Sequence, residues 1–333
     1  MCTCMTYTNG DFYFGRNLDL EYSFGESVVI TPQNYSFSLR RAGQMRTRYA
    51  MIGMAAVAGD YPLYAEAVNE KGLCLAGLNF PGNACYQPYR EGAENITPFE
   101  LIPWILGQCA GAEEAEKLLE NLNILDEPFS ASMPLAPLHW MMADREKCLV
   151  LEATAEGLQV YENPVGILTN NPPFSYHLTN LRNYLNLTPG VPENRFAAGL
   201  KLTPYGQGMG ALGLPGDVSP ASRFVRAAFL KWNSVCEPEE SASVTQFFHI
   251  LDNVSMVRGA AVTSEGKCDI TTYSCCVNAD RGIYYYKTYG NSQIRAAVLG
   301  EEECQKSSLT VFGLENRQQI HYVNGPHVAK WEQ

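Results

Sequence analysis

The chain is short of positive charge, of histidine and of long apolar runs. Its 333 residues hold 24 Lys and Arg against 35 Asp and Glu, a formal net charge of −11, with five histidines. Nucleic-acid binders concentrate Lys and Arg, so an acid excess of this size argues against a nucleic-acid partner. The nearest thing to a basic stripe, Arg40, Arg41, Arg46 and Arg48, is broken up by apolar and small residues. No apolar run approaches the ~20 residues of a membrane span, so no membrane partner is expected. Residues 1–10 are mostly polar, and no export signal is expected there. The Gly-rich stretch 205–213 lacks the strand-then-helix frame of a dinucleotide fingerprint. Cys2-Thr3-Cys4 and Cys275-Cys276 lack zinc-knuckle spacing and a nearby histidine. Neither a cofactor nor a metal is therefore expected.

What is present is a 46% hydrophobic composition, enough for a large core, and eleven cysteines at 2, 4, 74, 85, 109, 148, 236, 268, 275, 276 and 304. Without an export signal these are expected as reduced, mostly buried thiols in a cytoplasmic protein. One stands apart. Cys2 follows the initiator Met1 and is small enough for methionine aminopeptidase to expose it. The mature chain would then begin with a residue carrying a thiol nucleophile and its own free amine as general base. An α-amine titrates near ~8 and a thiol near ~8.5, so both work close to neutrality. The alternative is an ordinary buried thiol at a chain start.

The order of elements is strands, helices, strands, helices, strands. Residues 2–7 alternate as a strand, Asn9-Gly10 marks a hairpin, and β-type composition returns in 12–14 and 28–30. A second β block covers 49–80. Thr97-Pro98-Phe99-Glu100 has the form of a capping box opening a helix, and 112–122 repeats apolar residues at helical spacing. Strands return at 148–153, 158–161 and 165–169. Helices follow from Ser219-Pro220 and from Ser243, and 282–289 is the plainest late strand. This is not regular βαβ alternation, and it predicts a single α+β domain over 2–333 in which helices cover stacked antiparallel sheets.

A thiol nucleophile needs its proton handled, its charge stabilised and the substrate oxygen polarised. Polar residues beside apolar segments are the candidates: Arg16, Asp19, Asn79, Asn170 and Arg223. Each taken singly also reads as a turn residue or a surface charge. Together and in this order they resemble the choloylglycine hydrolase family of N-terminal nucleophile hydrolases. The resemblance runs from Cys2 through Gly15-Arg16-Asn17-Leu18-Asp19, Asn69-Glu70-Lys71-Gly72-Leu73, Leu78-Asn79-Phe80-Pro81, Pro137-Leu138-His139-Trp140, Thr169-Asn170-Asn171-Pro172, Leu214-Pro215-Gly216-Asp217 and Ser222-Arg223-Phe224-Val225-Arg226 to Thr272-Tyr273-Ser274-Cys275-Cys276 and Gly282-Ile283-Tyr284-Tyr285-Tyr286.

The resemblance implies a four-layer αββα sandwich, with Cys2 as nucleophile and its amine as base. It implies that Arg16 favours the thiolate, that Asp19 holds Arg16 and the N-terminal ammonium, that Asn170 and the Asn79 region stabilise the oxyanion, and that Arg223 organises the site. The histidines at 139, 177, 249, 321 and 327 are then unnecessary for catalysis, His139 being expected as a satisfied core residue. Asparagine at 79, where similar penicillin acylases often carry tyrosine, implies a conjugated bile acid substrate, hydrolysed to glycine or taurine through a thioester. Leu18, Tyr22, Phe24, Tyr61, Phe129, Met133 and Leu135 are the candidates for an apolar wall against a steroid, with plain core as the alternative. Penicillin V and N-acyl homoserine lactones are the rival substrates within the family, and a non-catalytic thiol or metal-binding protein is the rival of another class. A homotetramer is also implied.

Overall fold

The computed structural model describes residues 1–324; His327 and the end of the expected 2–333 domain lie outside them. Two antiparallel sheets stack face to face. The six-stranded sheet runs, edge to edge, Ile167–Leu168, Cys2–Asn9, Asp11–Leu20, Ile270–Asn278, Ile283–Thr288, Asn291–Val298. The eight-stranded sheet runs Gly157–Glu162, Cys148–Thr154, Leu138–Ala143, Cys74–Asn79, Tyr61–Asn69, Met51–Ala58, Ser27–Thr31, Thr310–Gly313. Phe14, Val28, Met54, Val68, Leu78, Met141 and Cys275 contribute to the core these sheets share. Helices Phe174–Asn180, Pro220–Asn233 and Glu240–Asp252 cover the outside of the smaller sheet. Helix Leu101–Leu106 packs on the larger one, and Ala112–Leu119 joins it in a second core with Trp104, Trp140 and Leu151. The architecture is the αββα sandwich expected.

The first hairpin fixes the rest. Asn9-Gly10 turns with Gly10 at φ 72°, and Cys2 pairs with Leu18, Cys4 with Arg16 and Thr6 with Phe14. Side chains alternate along a strand. Residues 2, 4, 14, 16 and 18 therefore face the larger sheet, whereas 3, 15, 17 and 19 face the helices. Gly15 is required in that register because a Cβ there would lie 2.1 Å from the Cys275 carbonyl oxygen.

Two helix starts differ from expectation. The first begins at Leu101, with Glu100 rather than Thr97 as N-cap. Half of the expected capping box forms: the Thr97 N–H donates to Glu100 Oε2 at 2.9 Å, but Thr97 Oγ1 is buried without a partner. The other begins at Glu240, not Ser243. The 112–122 periodicity also divides, into helix Ala112–Leu119 and strand Leu122–Ile124. The start at Ser219-Pro220 holds, with Ser219 accepting from the Ser222 N–H at 3.4 Å.

Candidate active site

Cys2 sits at the first position of its strand, 4% exposed, with the sulfur turned between the sheets. Arg16 Nη2 donates to Cys2 Sγ at 2.6 Å. The register pairs Arg16 with Cys4, yet the guanidinium reaches along the strand to Cys2. Burial pushes the Cys4 thiol well up, against the opposing pull of Arg16, so Cys4 stays protonated. Arg16 is itself buried, and its Nη1 donates to the carbonyls of Gly77 and Ala65 on the opposite sheet.

The carboxylate that accompanies Arg16 is Glu66, with Oε2 3.7 Å from Nη1 and no exposure. Glu66 also accepts hydrogen bonds from Tyr273 at 2.7 Å, Tyr284 at 2.5 Å and the Cys275 thiol at 3.6 Å. Burial pulls Arg16 down, but Cys2, Tyr273 and Glu66 outweigh it and hold the guanidinium above its usual value. Burial pushes Glu66 up, opposed by Arg16 and the two tyrosine hydroxyls.

This corrects one expected contact. Asp19 does not hold Arg16, because three steps along a strand put it on the opposite face of the sheet. There Asp19 Oδ1 accepts from Thr271 Oγ1 at 2.6 Å, and Oδ2 is buried without a partner. Its backbone meets the N-terminus: the Asp19 N–H donates to the Met1 carbonyl at 2.8 Å and its carbonyl accepts from the Met1 ammonium at 2.6 Å. The ammonium also lies 3.2 Å from Asp269 Oδ2. Burial pushes Asp19 up, opposed chiefly by Arg223 and then by the N-terminal charge.

Arg223, in the first turn of helix Pro220–Asn233, is fully buried against the N-terminal strand. Nη1 donates to the Cys2 carbonyl and to Thr3 Oγ1 at 2.6 Å, and Nη2 donates to Asn170 Oδ1 at 2.8 Å. Burial lowers Arg223, and Asp19 and Cys2 oppose that. Asn170 Oδ1 also accepts from the Cys2 N–H at 2.8 Å. Two donors on one oxygen fix the amide orientation, and Nδ2 is left to donate to the Asn79 carbonyl at 2.7 Å. An amide carries two N–H groups on that nitrogen, so the second is free to polarise a bound carbonyl oxygen. Cys2, Arg16, Arg223, Asn170 and the Asn79 backbone are thus joined by direct contacts, with Asp19 beside the N-terminus.

Two buried histidines hold the loop that carries Asn170. His139 places Nε2 3.0 Å from the Thr169 carbonyl and Nδ1 3.1 Å from Glu152 Oε1; His177 places Nε2 2.9 Å from the Asn170 carbonyl. His139 is the satisfied core histidine expected. Burial pushes His177 down, which keeps it neutral.

The candidate wall residues divide. Leu18, the register partner of Cys2, is buried in the shared core, and Phe24 packs against that core. Tyr61 and Phe129 lie 5.7 Å apart in a cluster with Phe37 and Phe99. Tyr22 and Met133 are exposed, and Leu135 is half-buried. Sequence reasoning missed Glu66, Thr3, Thr271 and Asp269. Glu66 alone had a signal, a single acid inside the otherwise uncharged strand Tyr61–Asn69.

Comparison with known proteins agrees with this geometry. A protein from Lactiplantibacillus plantarum named bile salt hydrolase/transferase is 48% identical over 97% of this chain and all of its own length. Its counterpart of the same name from Clostridium perfringens is 41% identical over 97% and 100%. A solved structure of a mutant conjugated bile acid hydrolase from Clostridium perfringens superposes with a TM-score of 0.91 at 40% identity, covering 97% of this chain and 100% of that one. A penicillin V acylase from Agrobacterium tumefaciens shares the fold, with a TM-score of 0.74 at 17% identity, covering 93% of this chain and 90% of that one. The sequence profile of the linear amide C–N hydrolases, choloylglycine hydrolase family, matches residues 2–312. A buried N-terminal thiol under an arginine, on an αββα sandwich, is what this profile spans: the chain belongs to the choloylglycine hydrolase family.

Proposed function

We propose that this enzyme is a bile salt hydrolase, cleaving the amide of glycine- or taurine-conjugated bile acids through a thioester on Cys2. The 2.6 Å contact of Arg16 with the Cys2 sulfur supports the chemistry, and the near-full-length similarity to two proteins named for bile salts supports the substrate. Removal of Met1 turns the Cys2 nitrogen into an α-amine. That amine takes the thiol proton, the thiolate attacks the amide carbonyl, and the oxyanion is met by Asn170 Nδ2 and the Asn79 region. Collapse of the tetrahedral intermediate breaks the C–N bond, and the α-ammonium returns the proton to the leaving amine. Water, deprotonated by the amine, then hydrolyses the thioester. Asp19, whose Oδ2 is buried and unpartnered near the N-terminus, is the counterion for the α-ammonium. Arg223 holds Cys2 and Asn170 in register. Phe24, Tyr61, Phe129, Met133 and Leu135, with Tyr22 at the surface, are the residues proposed for the apolar wall, and Leu18 takes the core alternative.

The same proposal covers a single domain over 2–333, no cofactor, a cytoplasmic location and a homotetramer. Eleven free cysteines suit a reducing compartment. An oligomer is favoured by segment 185–212, which exposes Leu185, Val191, Phe196, Leu200, Tyr205 and Leu212. These six large exposed apolar side chains in one stretch of 28 residues are what an interaction surface would present. Among the described residues no helix is long and apolar enough to cross a membrane. Turnover of glycocholate, taurocholate and penicillin V should be measured side by side. Bile salts are expected to be the better substrates, and a clear preference for penicillin V would overturn the substrate assignment.

A further inference from the structure

Glu66 is the buried carboxylate beside Arg16, and the chemistry above leaves it without a task. It lies on the opposite sheet from the nucleophile, and both of its oxygens have polar partners. Arg16 is on one side, with Tyr273, Tyr284 and the Cys275 thiol on the other. Burial pushes this carboxylate up, and the guanidinium together with the three donors oppose that push and favour its ionised form. Arg16 therefore stands between two groups that want its charge, the Cys2 sulfur on Nη2 and the Glu66 carboxylate near Nη1. We propose that Glu66 is a positioning residue for the hydrolase reaction: it fixes the Arg16 guanidinium against the Cys2 sulfur and offsets part of its charge, so that the thiolate is formed without being overstabilised.

The offset matters because a thiolate stabilised too strongly is a poorer nucleophile. Nucleophilicity falls as the thiol becomes more acidic, with a Brønsted slope of about 0.4–0.5. An uncompensated arginine in a dry interior would give much thiolate and slow attack. Few other groups face this pair. On its own sheet Arg16 meets Cys4, which burial keeps as a neutral thiol. Cys2 is faced from the helix side by Arg223, with Asp19 and Asp269 near the N-terminus. Glu66 is faced only by Arg16, Tyr273, Tyr284 and Cys275 among its polar contacts.

The inference rests on Cys2 being the nucleophile, and the test separates the two. The pH profile of iodoacetamide alkylation is followed on the Cys2 peptide by mass spectrometry in wild type, Arg16→Gln, Glu66→Gln, Glu66→Asp and Arg16→Gln/Glu66→Gln, with glycocholate kcat and KM measured in parallel. Glu66→Gln is expected to move the profile down by about one pH unit, the scale of a unit charge acting across a guanidinium at an effective dielectric near 20. Arg16→Gln should move it up. Glu66→Gln should lower kcat more than it changes KM, and Glu66→Asp should restore most of the wild-type profile. In the Arg16→Gln background Glu66→Gln should still move the profile by its direct charge effect, but its effect on kcat should shrink to near nothing, because the positioning acts through Arg16. If Glu66→Gln does not fold, Tyr284→Phe removes one donor from the carboxylate, leaves its charge less screened against Arg16 and should shift the profile up by a smaller step. An unshifted or raised profile in folded Glu66→Gln, or an unshifted or lowered one in folded Tyr284→Phe, would overturn the role of Glu66. Wild-type Cys2 that shows no preferential alkylation, with Arg16→Gln unchanged, would instead overturn the nucleophile.

Discussion

The two faces of the N-terminal hairpin each meet one arginine, in different company. Towards the larger sheet, Arg16 reaches the Cys2 sulfur, and its carboxylate neighbour Glu66 is saturated by three further donors. Towards the helices, Arg223 spans the Cys2 carbonyl, Thr3 and Asn170, while its acidic neighbour Asp19 has one oxygen bonded to Thr271 and the other bare. The inner face is complete as it stands. The outer face holds an unmet acceptor beside the chain start, where the proposed removal of Met1 would place the Cys2 ammonium. A single strand, by alternating its side chains, thus presents the thiol to one charged set and its nitrogen to the other.

Breaking the shared member of both sets has the largest effect. Cys2→Ala is expected to cut glycocholate turnover by at least about a thousandfold, because both sets then act on nothing. Its melting temperature should fall only slightly, since a small side chain is lost. Cys4→Ala should show the reverse, a stability loss with turnover largely kept.

The arginines should differ in stability when each is made apolar. Removing one partner of a buried charge pair leaves the other uncompensated, at about 3–5 kcal/mol. Arg223→Met removes the chief cation opposing burial at Asp19 and strips a donor from the Cys2 carbonyl, Thr3 and Asn170, and should fall in that range by denaturant unfolding. Arg16→Met leaves Glu66 with three donors and should cost less, about 2–3 kcal/mol on the same principle. Equal losses would mean that the donors on Glu66 do not compensate it.

The two faces should also differ in chemistry. Arg16→Gln is expected to move Cys2 alkylation to higher pH and to reduce turnover by about ten- to a hundredfold, on the scale of one or two lost charge-assisted contacts. Arg223→Gln should lose turnover through disordered Asn170 and Cys2, with the alkylation profile moved less. A larger alkylation shift in Arg223→Gln would reverse the division of labour.

How much of this was legible in the sequence depended on whether the deciding contact was local. The hairpin at Asn9-Gly10 and the helix at Ser219-Pro220 carry their own turn and cap chemistry, and both formed where expected. The capping box at Thr97 failed because Glu100 is also held by the Arg40 N–H, 60 residues away, and became the cap itself. Arg16 and Asp19 were identifiable as a pair of charges, and their alternation along a strand already forbade the contact between them. Glu66 gave only the faint signal of one acid in an apolar strand, because its meaning lies in Tyr273 and Tyr284, more than 200 residues away.

A half-buried cation lies away from both sets and provides the smallest expected effect. Lys231 donates to Thr6 Oγ1 at 2.9 Å and to the Val165 carbonyl at 2.7 Å, and burial lowers it to about 8. Between pH 8 and its unfolded value of about 10.5 the unfolded chain binds more protons, so this group's contribution to stability rises with pH across that window. Lys231→Met removes the rise. Relative to wild type the variant should be stabilised by about 1–2 kcal/mol more at pH 7 than at pH 10, allowing for partial solvent screening. Its glycocholate turnover should be unchanged.

The central claim is that the Cys2 amine, freed by loss of Met1, is the base. One preparation in which Met1 removal is blocked to graded extents, with intact mass and glycocholate turnover measured on each sample, tests it most directly. Activity is predicted to follow the fraction of chains beginning at Cys2 and to extrapolate to zero when Met1 is fully retained. Full turnover by chains that keep Met1 would contradict the account.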